Sequence, residues 1–348
     1  MRAGIFKETY PELVRLTDSM PVKVWSILLV LGASLLPALV GSYALSFGTT
    51  IVITSIGVVG LNLLTGTCGL ISLGHAGFMA VGAYGAGIMA LDYGWSAIPA
   101  ILVGGFAASL SSLLVGVPSL RLKGLYLAIT TLAFTVIVTH LILNMPQLTR
   151  GSAGLFMPVA DLMGIEMKST GAFYLFALAL AVLAVLGVLN LMRSRVGRAF
   201  LAIREQDIAA EMMGIHLARF KLLAFAISAF YTGIAGALFA YQVRYINVDS
   251  FGLLLSIEAL GIIIVGGLGS VAGAVIGTVF MTLLPEGIRI LFDLLGAGLQ
   301  EIFSTRALEL RGLIYGAVII LVLRFQPEGL IGIWREVRRI WTNWPFRY

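Results

Sequence analysis

Apolar runs of helical length, divided by short polar or glycine-rich breaks, fill most of this 348-residue chain. A membrane-crossing helix needs roughly 20 mostly apolar residues. The pattern predicts about ten such spans, at 24–46, 50–70, 74–92, 95–120, 124–144, 172–192, 219–242, 253–268, 270–288 and 310–331. The third, eighth and ninth are short or glycine-rich, so each is either a full span or a re-entrant, broken helix. The fold class expected is all-α, a polytopic membrane helix bundle. Its layout is an N-terminal cytoplasmic or interfacial segment 1–23, a membrane domain 24–331 carrying a polar loop at 193–221, and a basic tail 332–348. The longest loops, 145–171 and 193–218, are too short to fold alone.

Composition strengthens the membrane reading. Hydrophobic residues make up 59% and charged residues 11%, against roughly 25% charged in average globular domains. The 41 glycines suit helices that must approach closely where lipid gives no hydrophobic drive to associate. The formal charge of +6 reflects basic residues flanking membrane spans; the lipid bilayer is the expected partner, and no nucleic acid. With the N-terminus inside, segments 1–23, 121–123, 193–221 and 324–348 hold 17 of the 23 basic residues. That bias places both termini in the cytoplasm. The segment IFKETYPELVRL at 5–16 either lies along the interface or forms a polar tail; no cleavage site follows it, so the first apolar run is kept as a span. Cys68, the one cysteine, cannot form an intrachain disulfide and reads as a small packing residue.

The densest polar stretch is RSRVGRAFLAIREQDIAAEMMGIHLARFK, 193–221. Within it Asp207 is placed to cap a short helix, Glu211 to favour its positive end, and Gly214 to sit just past its close. Such a helix is either offered to a partner or is part of a solvated basic loop that anchors topology. Two glycine-rich stretches, Gly60–Gly87 and Gly261–Gly277, lie in opposite halves of the chain. Paired glycine-interrupted segments point to broken helices lining a solute path, with close helix packing as the alternative. In the first, Asn62, Thr65, Thr67, Ser72 and His75 can meet a polar solute or bond between helices. In the second, Gly269, Gly273 and Gly277 recur every four residues along one face. Among the 17 acids, Glu258 alone falls well inside a predicted span, which marks either a functional carboxylate or a structural hydrogen bond near the outer interface.

Catalytic and metal signatures are absent from the sequence. His75, His140 and His216 lack ligand partners at useful spacing. There is no H-E-x-x-H, no G-x-S-x-G and no G-x-x-x-x-G-K-[ST] phosphate loop. No metal or cofactor is expected, and ATP would have to be bound by another chain.

GLNLLTGTCGLISLGHAGFMAVGAYGAG at 60–87 resembles the signature of the LivM-type permeases of bacterial branched-chain amino-acid ABC importers. The resemblance continues through LRLKGLYLAITTLAF (120–134), LTRGSAGL (148–155), GRAFLAIREQDIAAEMMGIHLARFKLLAFAISA (197–229), GGLGSVAGAVIG (266–277) and LRGLIYGAVIILVLRFQPEGLIG (310–332). It implies a non-catalytic permease subunit in the bacterial cytoplasmic (inner) membrane. Its implied partners are a homologous LivH-like permease, two cytoplasmic ATPase subunits and an extracytoplasmic solute-binding protein. The loop 193–221 then resembles the family's EAA loop, whose short helix couples to the ATPase. The pattern A-A-x3-G maps onto Ala209, Ala210 and Gly214; the usual glutamate falls on Ile208, so Glu205 and Glu211 are left to supply charge. Arg204, Asp207, Met212 and Met213 complete the expected coupling surface, with the methionines as adaptable apolar contacts. LTRGSAGL resembles the family's LTGG-x-x-GL turn on the outer face, where Thr149, Arg150 and Gly151 sit and Arg150 replaces the first glycine. Its cation either attracts a carboxylate or acidic receptor surface, or is simply exposed. The substrate implied is a branched-chain or other amino acid. A permease of the same family for urea, amides or aromatic acids is the nearer alternative; a stand-alone secondary transporter or channel is the farther one.

Overall fold

The computed structural model describes residues 20–343, except 121, 123, 163, 164, 168 and 296–306; within that range the side chains of 20–23, 119, 162, 165, 291–295, 307–309, 311 and 338–343 are also outside the description. The predicted interfacial segment 5–16 therefore lies outside the described residues, as does the end of the basic tail.

The chain folds into a bundle of apolar helices: α1 (Met20–Leu39), α2 (Ser42–Asn62), α3 (His75–Asp92), α4 (Ala97–Ser119), α5 (Leu125–Asn144), α6 (Thr170–Arg193), α7 (Arg195–Glu205), α8 (Asp207–Met212), α9 (Leu217–Val243), α10 (Leu253–Gly266), α11 (Val271–Leu295), α12 (Ala307–Phe325) and α13 (Leu330–Asn343). Helix α7 and the chain near 66–72, 267–270 and 326–329 come together at one end of the bundle. Eight described segments are long and apolar enough to cross a membrane. Helix α3 is not among them, its 18 residues being less apolar with His75 and Asp92 at the ends; it runs through the interior between α4, α5, α9 and α10. Its alanines and glycines satisfy packing rather than partition.

Two boundaries differ from the pattern-based expectation. The break expected at 47–49 comes earlier, at 40–41, where Gly41 is extended (φ −67°, ψ 164°). Gly48 instead lies inside α2, leaving room for the Tyr174 ring, whose hydroxyl donates to the Ala33 carbonyl at 3.0 Å and ties α6 to α1. At the other end, the expected span 310–331 stops at Phe325; a turn at 326–329 with Gly329 at φ 72° starts the strongly amphipathic α13.

Helix α9 is the central post. It packs on α2, α3 and α4 through glycines that bring backbones together: a Cβ at Gly82 would strike the Gly233 carbonyl, one at Gly104 the Gly82 carbonyl, and one at Gly236 the Met79 carbonyl. This is the small-residue packing that membrane helices favour. Helices α10, α11 and α12 form a second group joined to the first through α2.

Candidate functional site

Helix α2 does not end cleanly. Its last turn widens into a π-turn at Leu63–Thr67, and the chain then runs through an irregular, non-helical stretch at 68–74 before α3 starts at His75. Non-helical backbone buried inside a protein survives only where partners satisfy its polar groups. Here hydroxyls do so: the Leu73 amide donates to Thr131 Oγ1 at 2.9 Å, the Ala76 amide to Ser256 Oγ at 2.9 Å, and the Gly74 amide to Ser72 Oγ at 3.2 Å. Thr65 Oγ1 donates to the Leu70 carbonyl at 3.1 Å. Thr131 and Ser256, both fully buried, were not singled out from sequence. Single hydroxyls in apolar helices carry no signal of what they face; only the fold places them against 72–76.

The second break, between α10 and α11, turns through Gly267 (φ 119°) and Gly269 (φ 80°). Gly269 is thus a turn residue, whereas Gly273 and Gly277 lie on α11 and let the end of α10 approach: a Cβ at Gly273 would sit 2.7 Å from the Gly266 carbonyl. The two breaks, remote in sequence, meet. Asn62 donates to the Ser270 carbonyl and accepts from the Gly269 amide, each at 2.9 Å. The Gly66 position has no room for a side chain, since a Cβ there would collide with Asn62 Oδ1 and the Gly269 amide.

Of the other residues expected along a solute path, His75 is buried with Nδ1 3.4 Å from Thr232 Oγ1, and Ser72 is buried against its own turn. Glu258 stands apart: it is half-buried in the second turn of α10. At 1.5 Å per residue this is about 12 Å along the helix from the break. The structure brings Asn62, Gly269 and Arg204 together and leaves Glu258 outside that group.

The 193–221 loop forms two helices where one was expected. Helix α7 is capped by Ser194, whose Oγ accepts from Val196 and Gly197 amides at 3.1 and 3.4 Å. Gln206, extended at φ −162°, is the joint between α7 and α8. Asp207 is therefore the first residue of α8, not its cap. Its carboxylate takes the Lys221 Nζ at 2.8 Å, and the Lys221 side chain is 7% exposed. Gly214 at φ 84° closes α8 as expected, with the Ile215 amide donating to the Ala210 carbonyl at 3.1 Å. Ala210 faces the chain's own core, while Ala209, Glu211 and Ile208 are exposed and Met212 and Met213 are 84% and 85% exposed. Between α7 and α8 runs an open groove of about 500 Å³ walled by Ala202, Glu205, Ala209 and Met213. Arg204, at the end of α7, points the other way: its Nη1 donates to the Gly66 carbonyl.

At the outer end, Thr149 Oγ1 donates to the Met145 carbonyl at 2.8 Å and accepts from the Gly151 amide at 3.3 Å. Arg150 and Gly151 both take left-handed backbone, at φ 60° and 55°. The Arg150 guanidinium lies 3.7 Å from Asp92 with both side chains about half exposed, a pair of little energetic weight. A cavity of about 260 Å³ opens nearby between α2, α6 and α9, walled by Ser46, Thr49, Thr170, Tyr241 and Gln242. No cluster of three or more metal-ligating side chains occurs among the described residues.

Comparison with known proteins agrees with this architecture. The family described as "Branched-chain amino acid transport system / permease component" matches residues 43–323. The high-affinity branched-chain amino acid transport system permease protein LivM of Escherichia coli K12 is 32% identical over 340 residues, 90% of this chain and 76% of LivM. Its LivH counterpart from the same organism is 24% identical over 298 residues, 79% of this chain and 89% of LivH. The autoinducer 2 import system permease protein LsrC of Enterobacter sp. 638 is 32% identical over 122 residues, 34% of this chain and 35% of LsrC. No solved structure matches the chain at a significant level.

Proposed function

The chain belongs to the family of branched-chain amino acid transport system permease components, a multi-pass permease subunit of the inner membrane, and we propose that within an ATP-driven importer it passes a branched-chain amino acid. On this reading it works beside a LivH-like permease, two ATPases supply the energy from the cytoplasm, and an extracytoplasmic binding protein delivers the solute. The likeness to LivM and LivH supports the amino acid as substrate.

The observation that carries the coupling role is the presentation of α8. The helix is fixed from behind by the Asp207–Lys221 pair and by buried Ala210, and it shows Ile208, Met212 and Met213 to the cytoplasm. Large apolar side chains held on a rigid turn outside the membrane fit a groove in a partner protein. The chain itself has no phosphate loop, so the energy enters through that contact.

The test is reconstitution of the permease pair with both ATPases and the binding protein in proteoliposomes. Labelled leucine uptake should require ATP, the ATPases and the binding protein. A charge at Met212 (Met212→Glu) should release the ATPases from the complex while the chain still inserts. Uptake that survives without the ATPases and collapses with the ion gradient would identify a secondary transporter instead.

A further inference from the structure

We propose that Arg204 is a positioning residue that transmits the movement of α8 to both chain breaks at once. The proposal rests on the coupling role of α8 given above. Arg204 occupies the last turn of α7, two residues before the extended joint at Gln206. Displacement of α8 reaches this turn through the Gln206 joint, alongside the Asp207–Lys221 contact to α9. The aliphatic stem of Arg204 lies along the re-entrant chain at Gly69, where an added Cβ would sit 3.3 to 3.5 Å from its Cγ, Cα and Cβ. Gly69 has φ 76°, a left-handed backbone that favours glycine at this approach.

The tip of Arg204 donates to the Gly66 carbonyl. That carbonyl belongs to the end of the α2 π-turn, one of the terminal acceptors a helix leaves without an internal partner, and a cation is favoured there. The same Nη1 would lie 2.8 Å from a Cβ at Gly269. From Gly66 it is one step to Asn62, which holds Gly269 and Ser270. Four groups thus form one continuous path: α7 by Arg204, the first break by Gly66, α2 by Asn62, the second break by Gly269. Two of the meeting points, Gly66 and Gly269, are glycines, so backbones move against one another there without side chains to absorb the shift.

Cys68, two residues from Gly66, is 1% exposed. Its thiol is therefore a built-in reporter. The experiment uses the assembled complex with the partner permease and ATPases in nanodiscs, comparing wild type, Arg204→Met and Arg204→Lys. Methionine keeps most of the stem and removes the donor; lysine restores a donor. Three quantities are read: ATPase co-purification, solute moved per ATP hydrolysed, and the rate of Cys68 alkylation by a small maleimide.

Arg204→Met should keep its ATPases, alkylate at Cys68 about tenfold faster and move about tenfold less solute per ATP, the size of one lost charge-assisted hydrogen bond. Arg204→Lys should return both rates to within about threefold of wild type, a shift well under one such bond. A purely structural helix cap would lower thermal stability without changing solute per ATP. The proposal is overturned if Arg204→Met leaves alkylation and solute per ATP unchanged. It is overturned equally if that variant loses its ATPases, which would make Arg204 a docking residue. Should Arg204→Met fail to reach the membrane, Asn62→Ala is read by alkylation alone: faster modification supports the path, an unchanged rate rejects it. Wild-type ATP-driven uptake in the same preparation tests the importer reading separately.

Discussion

Asn62 and Gly269 stand 207 positions apart in the chain and 2.9 Å apart in space, with the Asn62 amide oxygen accepting from the Gly269 N–H. The same side chain donates to Ser270, so one carboxamide matches the donor and acceptor of a turn in the other half of the molecule. Removing it as Asn62→Ala leaves a buried N–H and carbonyl unpaired, at a cost of about 2 kcal/mol or more. Thermal unfolding of the detergent-solubilised protein should show a clearly lower midpoint.

The Asp207–Lys221 pair fixes α8 against α9. Lys221→Met leaves the Asp207 carboxylate, 17% exposed, without that partner, and breaking a buried pair costs about 3–5 kcal/mol. The double variant Asp207→Leu with Lys221→Met should recover much of that loss, because no charge is left stranded. Midpoints from thermal unfolding of the four proteins close the cycle; additive losses would mean that the pair is not coupled.

Close packing around α9 makes a third case. Gly236→Ala would press its Cβ into the Met79 carbonyl, whereas at Gly316 nothing lies within 4 Å. The first substitution should sharply lower the yield of folded protein; the second should leave it unchanged. Membrane yield and size-exclusion profiles distinguish the two.

Gly214 tests the close of α8. Its φ of 84° costs an alanine about 1–2 kcal/mol, although no atom lies near enough to clash. Gly214→Ala should weaken ATPase co-purification modestly and Gly214→Asn less, since asparagine tolerates left-handed backbone. Equal, full co-purification in both would free α8 from any dependence on this turn.

Membrane class and the all-α bundle were legible in the sequence, although eight described segments, not ten, are long and apolar enough to cross a membrane. Both rest on the partition of long apolar runs, a property of contiguous residues. Gly214 and the two glycine-rich breaks were legible for a related reason, since left-handed or close-packed backbone favours glycine, although Arg150 and Arg244 take left-handed backbone without it. What the tertiary structure decided was pairing. Whether Asn62 meets a solute or another turn, whether Asp207 caps its helix or holds Lys221, and whether Arg204 faces a partner or Gly66 depend on which distant segments share the buried space. In an apolar interior a lone polar side chain must find a complement, and that complement sits some 14 to 208 positions away along the chain, beyond the reach of any local pattern.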